Sequence, residues 1–234
     1  MNRLASPIRL ASISILATTA ACASQVDGDH QGDALAELSG QVSNDRTTPV
    51  GDAAEVVVVW HNSAGSPDVI AAEAVEVEGT FPAQFSLSIY QPPADALLND
   101  WAGVQVGVAY LVAGTPGADY SDESNPGLLG IEDDHLLVYL PAAVPAGSFA
   151  AHVLRGTPAA GFHLYGVHKL TDAEKASRAA CIDALPDPTT EAIYTTCGGS
   201  ATFDDFVPLP TDLASPLEIE LVDDVDDVDV PNWT

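Results

Sequence analysis

The chain is poor in basic residues. Its 234 residues include only 7 Lys and Arg against 34 Asp and Glu, which gives a formal net charge of −27. Nucleic acids and anionic membrane surfaces are repelled by such a charge, so the composition argues against both as partners. Cations, basic proteins and neutral sugars remain as classes of partner, and excess acid also keeps exported proteins soluble.

Recognisable catalytic motifs are also missing. The sequence contains no Gly-x-Ser-x-Gly, no His-Glu-x-x-His and no Cys-x-x-Cys, so it carries no hallmark of a serine hydrolase, a zinc protease or a dithiol oxidoreductase. After the N-terminus there is no long apolar run, so no transmembrane helix is predicted. We therefore predict a non-catalytic role in binding, adhesion or scaffolding, with an enzyme as the alternative.

The N-terminus has the layout of an export signal. Arg3 and Arg9 are the only charged residues before Asp27, and an apolar run extends over residues 10–21. The run is too short to span a bilayer, which takes about 20 apolar residues. A basic start, a short apolar stretch and small residues at its end are typical of a secretory signal.

The end of that run, residues 19–22, reads Thr-Ala-Ala-Cys. It resembles the lipobox of bacterial lipoproteins, with a threonine where leucine is usual, and the resemblance covers only the first 22 residues. It implies a signal peptide over residues 1–21, a diacylglyceryl group on Cys22 and, because no Asp follows the cysteine, the outer membrane. The alternative is an ordinary signal that is cleaved after Ala21 or Ala23.

The remainder of the chain divides into three parts. Residues 22–34 are polar and rich in glycine, which predicts a flexible tether. Residues 35–224 are long enough to bury one large core, or two smaller ones if the chain divides near 115–130. Residues 225–234 complete a low-complexity acidic run and are expected to form a solvated tail.

Short strands dominate the predicted domain. The β-branched run Glu55–Trp60 predicts a strand that is buried on both faces. Many short strands separated by Gly, Pro and Asp turns favour an antiparallel β-sandwich. Their spacing is similar to that of immunoglobulin-like and transthyretin-like exported modules, which implies a fold and no function. The predicted strands are 35–43, Glu55–Trp60, Val75–Glu78, Gln84–Tyr90, Val104–Val112, Leu136–Leu140, Ser148–Leu154, Phe162–Leu170 and Leu217–Val222.

One short helix interrupts the strand pattern. Thr171 and Glu174 form a capping box, which predicts that the helix begins there. If Cys22 carries a lipid, Cys181 and Cys197 remain as an even pair outside the cytoplasm, and we expect them to form a disulfide. Closing a loop of this length is worth about 3 kcal/mol in the chain-entropy model. A reactive thiol pair is the alternative.

Possible metal ligands gather before one predicted strand. These are Glu132, Asp133, Asp134 and His135. With His163 they could form a transition-metal site, and the protein would then be a metal-dependent enzyme outside the cytoplasm. His163 and His168 are separated by an odd number of residues and face opposite sides of a regular strand, so only one can join the cluster. The alternative is that each histidine hydrogen-bonds a loop.

Two other candidate binding sites are predicted. Asp119, Asp122 and Glu123 lie in a Gly- and Pro-flanked loop whose oxygens suit calcium, which takes six to eight oxygen ligands. Calcium is the one cofactor that we anticipate, and a solvated acidic loop is the alternative. Trp101 lies in a turn, where an exposed ring could contact a sugar or a peptide, whereas Trp60 is expected in the core. The sequence thus predicts a lipid-anchored envelope module whose partner is a protein, a sugar or a cation.

Overall fold

The computed structural model describes residues 32–47, 53–61, 70–78, 80–118, 120, 127–199 and 206–223. The proposed signal peptide, Cys22, most of the tether and the acidic tail lie outside the described residues, and they remain predictions. Among the described residues, no helix is long and apolar enough to cross a membrane.

Strands are the main elements of the described chain, which confirms the mainly β prediction. The strands are β1 (Ala36–Asn44), β2 (Ala53–His61), β3 (Ile70–Glu78), β4 (Ala83–Ile89), β5 (Leu98–Asp100), β6 (Gln105–Gly114), β7 (Leu128–Ile131), β8 (His135–Leu140), β9 (Gly161–Lys169), β10 (Phe206–Thr211) and β11 (Leu217–Leu221). The helices are α1 (Phe149–Val153), α2 (Asp172–Asp183) and α3 (Thr190–Ala192), with a 3-10 turn at Asp95–Leu97 and a π-helical turn at Ile193–Cys197.

The strands form two sheets. The smaller has the order β11-β1-β4, and the larger has the order β10-β9-β8-β6-β2-β3, with β5 and β7 also paired to β6. β1 is parallel to β11, and the pairs of the larger sheet are antiparallel. β6 and β7 pair directly although residues 115–127 separate them, and the chain from Asp33 onward forms one compact unit.

The core lies between the two sheets. Along β1, buried and more exposed residues alternate, because successive side chains of a strand point to opposite faces. Leu38 and Val42 of β1 thus meet Val58 and Trp60 of β2 in one buried cluster, together with apolar residues of β4, β6 and β11. The predicted sandwich is therefore confirmed.

The centre of the larger sheet, at β2 and β6, is buried on both faces. Residues Val56–Trp60 are all buried, as the β-branched run predicted. Val57 and Val59 point away from the smaller sheet and pack with Val112, under Tyr110, Leu128 and Ile131. Farther along this outer face, α1 covers apolar residues of β6, β8 and β9.

The prediction of a strand at Ser148–Leu154 is wrong, because α1 occupies this segment. The Ser148 hydroxyl caps the helix by accepting a hydrogen bond from the amide of Ala151 at 3.2 Å. Alanines and few β-branched residues make the segment a poor strand former. Sequence reasoning also missed β5, β7 and β10, and β10 contains two prolines, which sheets tolerate at edges.

A helical excursion joins β9 to β10. The predicted capping box is present: the Thr171 hydroxyl accepts from the Glu174 amide at 3.3 Å, and the Glu174 carboxylate accepts from the Thr171 amide at 2.8 Å. The hydrogen bond from the Thr171 backbone is the main reason why the pKa of Glu174 falls to about 2. No residue of α2 is buried. Packing against the core therefore contributes little to the stability of this helix, and other bonds must hold it in place.

The disulfide supplies much of that support. Cys181 of α2 is bonded to Cys197, with the two Cα atoms 5.7 Å apart, which confirms the predicted pairing. Just beyond it, the Arg155 guanidinium donates to the Gly198 carbonyl at 2.8 Å. The rings of Phe149 and Tyr194 pack edge to face with centroids 4.9 Å apart. The disulfide thus joins two parts of the helical excursion, and the contacts of Arg155 and Phe149 join the excursion to the α1 region.

Reduction of the disulfide is expected to lower stability. The Cys181→Ser/Cys197→Ser variant should lose about 3 kcal/mol of unfolding free energy, because the unfolded chain loses a cross-link. Urea unfolding with and without reductant measures this loss, and the double variant should not respond to reductant. Two free thiols in the native, unreduced protein would contradict the assignment.

Candidate functional site

Glu132 is buried in the turn between β7 and β8, where it pairs with the partly exposed His135 at the start of β8. The Glu132 amide donates to the Leu111 carbonyl at 2.9 Å, which brings its side chain inside, where it is 2% exposed. One carboxylate oxygen accepts from the His135 amide at 2.7 Å, and the other lies 2.8 Å from His135 Nδ1. The pair therefore closes this turn with two hydrogen bonds to one carboxylate.

The pKa values of Glu132 and His135 are both raised. Burial raises the pKa of Glu132, because a charged carboxylate is costly away from water. The hydrogen bond to Glu132 raises the pKa of His135. The folded protein consequently holds protons on this pair more tightly than the unfolded chain does.

Asp133 and Asp134 are placed differently from Glu132. The Asp133 carboxylate accepts from Lys169 Nζ at 3.0 Å, in an exposed contact between the turn and β9. The Asp134 side chain is exposed, while its carbonyl accepts from the Val167 amide at 2.7 Å. These two aspartates thus fix the turn to β9 from outside. Among the described residues, neither carboxylate hydrogen-bonds the His135 ring, although the charge of Asp134 adds to the effect of Glu132 in raising the pKa of His135.

His163 does not join the cluster predicted around His135. In the β8–β9 pairing, His135 lies opposite Gly166, whereas His163 lies opposite Val138. These positions differ by an odd number of residues, so the two imidazoles lie on opposite faces of the sheet. Among the described residues, no group of three or more His, Cys, Asp or Glu side chains could hold a metal ion.

The other two predicted sites have different outcomes. Asp119, Asp122 and Glu123 lie outside the described residues, so the calcium site stays a prediction. Trp101 lies in the turn between β5 and β6, where its amide and carbonyl bond Val104. Its ring is half-buried against the cluster beneath α1 rather than fully exposed, and Trp60 is completely buried.

A cleft of about 300 Å³ opens on the outer face beside His163. Its walls are the connection from α1 to β9, the middle of β9, and the end of β10. The lining residues are Leu154, Gly156, Thr157, Pro158, His163, Leu164, Tyr165, Pro210 and Thr211. The His163 imidazole is the one basic side chain among these lining residues. They include no carboxylate, although the chain has 34 Asp and Glu residues.

Hydrogen bonds fix the polar groups of the cleft. His163 Nε2 lies 2.7 Å from the Ala159 carbonyl, and a carbonyl only accepts, so Nε2 carries a proton. The Thr211 hydroxyl accepts from the Gly166 amide at 3.0 Å and donates to the Leu209 carbonyl at 3.1 Å. Burial raises the pKa of Tyr165 to about 12, so its hydroxyl stays protonated at neutral pH.

Sequence reasoning selected His163 but missed the cleft. The Gly-Thr-Pro segment at 156–158 follows a helix that was predicted as a strand, and β10 was not predicted. The cleft exists because Tyr165 and Pro210 are paired across the β9–β10 ladder. Local sequence patterns do not indicate this cleft, because it depends on the pairing of β9 with β10.

The Glu132–His135 pair is expected to make stability fall with rising pH. Both pKa values are raised, and each group has its own window. The contribution of Glu132 is complete only below the ordinary glutamate pKa of 4.5, whereas that of His135 is complete below the ordinary histidine pKa of 6.5 and is lost as the pH passes its raised pKa. Between pH 6 and 9, the unfolding free energy of the wild type should fall more steeply with pH than that of Glu132→Gln, because the substitution removes the carboxylate that raises the pKa of His135. Urea titrations at several pH values measure this difference.

The exposed histidine of β9 supplies the control for that experiment. His168→Ala should keep the wild-type dependence on pH, because the His168 imidazole lies 3.4 Å from an exposed carboxylate on α2 rather than from a buried one. Identical pH slopes for wild type and Glu132→Gln would contradict the assignment.

Comparison with known proteins does not assign the chain to a family. No family model, curated protein or solved structure shows a significant match to it. A functional proposal for this chain therefore depends on its own residues and on the geometry described above.

Proposed function

We propose that the protein is an exported, lipid-anchored and non-catalytic binding module of the bacterial cell envelope. The observation that carries the binding role is an open cleft that has no carboxylate, lysine or arginine in its lining and only the His163 imidazole as a basic group, on a strongly acidic domain. Small-molecule sites are typically concave and mostly apolar, with a few polar groups, and this cleft has that composition.

Export is supported by two independent features. Residues 1–22 have the layout of a lipoprotein signal, with Cys22 at the end of the apolar run. The disulfide between Cys181 and Cys197 is a bond that persists in oxidising compartments and is rare in the cytosol. Removal of residues 1–21 would also take away two of the 7 basic residues and no acidic ones.

The arrangement of histidines favours binding over catalysis. The enzyme alternative required the Glu132–His135 turn and His163 to act on one substrate or metal. These imidazoles lie on opposite faces of the larger sheet, and the Glu132 carboxylate is buried and already bonded to His135. A shielded carboxylate that orders its own turn has a structural role.

The lipid anchor can be tested with Cys22→Ser. This variant should leave the membrane fraction for the soluble extract, because acyl chains contribute about 0.8 kcal/mol per buried CH₂ and the acidic domain has little affinity for anionic lipid. Fractionation with immunodetection measures the partition, and density-gradient separation tests the outer-membrane assignment.

Ser24→Ala serves as the matched control, since it changes the same segment and keeps the cysteine. It should partition as wild type does. If Cys22→Ser stays in the membrane fraction and mass spectrometry finds Cys22 unmodified in the wild type, the anchoring proposal is wrong.

A further inference from the structure

We propose that the cleft beside His163 binds one ring of a neutral sugar. The side chains of its lining that would recognise the sugar are those of Thr157, Pro158, His163, Tyr165, Pro210 and Thr211. The inference deepens the proposed binding role by naming its site and its ligand class. It follows from the donors and acceptors of the cleft, from its apolar walls and from its lack of charge.

The cleft offers both donors and acceptors. His163 Nε2 donates to the Ala159 carbonyl, which leaves Nδ1 as the ring nitrogen that a ligand could contact, and no described residue bonds it. The hydroxyls of Thr157 and Tyr165 also have no partner among the described residues, and the protonated phenol of Tyr165 can donate. Sugar hydroxyls need this mixture, since each of them both donates and accepts.

The walls suit the C–H faces of a sugar ring. Pro158 and Pro210 are the more exposed apolar side chains of the lining, and Leu154 and Tyr165, which are 1% and 2% exposed, support them from the core. A volume of about 300 Å³ is at the lower limit of known small-molecule sites, which fits one ring rather than a long chain.

Charged ligands are disfavoured at this place. An anion would meet no lysine or arginine in the walls, and the guanidinium of Arg155, which precedes the lining residue Gly156, donates to the Gly198 carbonyl at 2.8 Å. A cation would find no carboxylate among the lining side chains. Burying either charge without a partner would cost several kcal/mol, so a neutral ligand is favoured.

A peptide strand is disfavoured by the prolines of β10. This strand lies at the edge of the larger sheet and pairs with β9. Prolines are tolerated in an edge strand where the backbone nitrogen faces away from the neighbouring strand. Pro208 and Pro210 have no N–H, so these positions of β10 offer no donor on its outer edge. Binding by strand addition needs those donors, and side-chain recognition of a small ring does not.

Saturation-transfer NMR on the full-length protein tests the inference. The protein is kept in a detergent without a sugar headgroup, and glucose, galactose, mannose and N-acetylglucosamine are the probes. A single-ring site should bind with a Kd on the order of 1 mM. We expect saturation transfer to at least one probe. His163→Ala and Thr157→Val should each weaken the affinity for that probe about fivefold or more, because each removes one hydrogen-bonding group.

Two matched variants serve as controls. His168→Ala changes the exposed histidine of the same strand, and Trp101→Ala removes the aromatic ring that the sequence suggested; neither should alter the transfer. Thr157→Val keeps the shape of an exposed loop side chain, so it remains informative if His163→Ala unfolds.

Three results would overturn the inference. The first is no transfer to any of the four sugars. The second is transfer that is unchanged in both His163→Ala and Thr157→Val. The third is transfer that is lost only in Trp101→Ala. Binding of tri-alanine with loss in His163→Ala, without sugar binding, would show that the ligand class is wrong. Because none of these measurements uses membrane partition, they fail or succeed independently of the Cys22 anchor.

Discussion

Burial of the centre of the larger sheet on both faces is the constraint on which the rest of the structure depends. The run Val56–Trp60 has apolar side chains on each side, so each face needs its own cover. The smaller sheet covers one face, and α1 with the β6–β7 region covers the other. The cleft lies where this outer cover ends, between the connection from α1, strand β9 and the edge strand β10.

The same two-sided sheet explains why the candidate chemical groups are separate. Alternation along β8 and β9 sends His135 to the inner face and His163 to the outer one. On the inner side, His135 is joined to the buried Glu132 carboxylate and orders a turn. On the outer side, His163 is bonded to the Ala159 carbonyl and lines an open cleft. One histidine is thus structural, and the other is available for recognition.

Local signals in the sequence predicted much of this fold, and non-local pairing accounts for what they missed. The β-branched run at Glu55–Trp60 and the capping box at Thr171 specify their structures through neighbouring residues alone. Ser148–Leu154 fits the pattern of short segments between turns that predicts strands, but the Ser148 hydroxyl caps a helix there. Tyr165 and Pro210 could not be brought together from the sequence, because their contact depends on the register of β9 and β10.

Hydrogen–deuterium exchange measured residue by residue tests the central claim most directly. If the larger sheet is covered on both faces, amides of β2 and β6 should exchange only through global unfolding, whereas those of α2, which buries no residue, should exchange through local opening. Exchange in β2 as fast as in α2 would contradict a two-sided core, and with it the cover that forms the cleft.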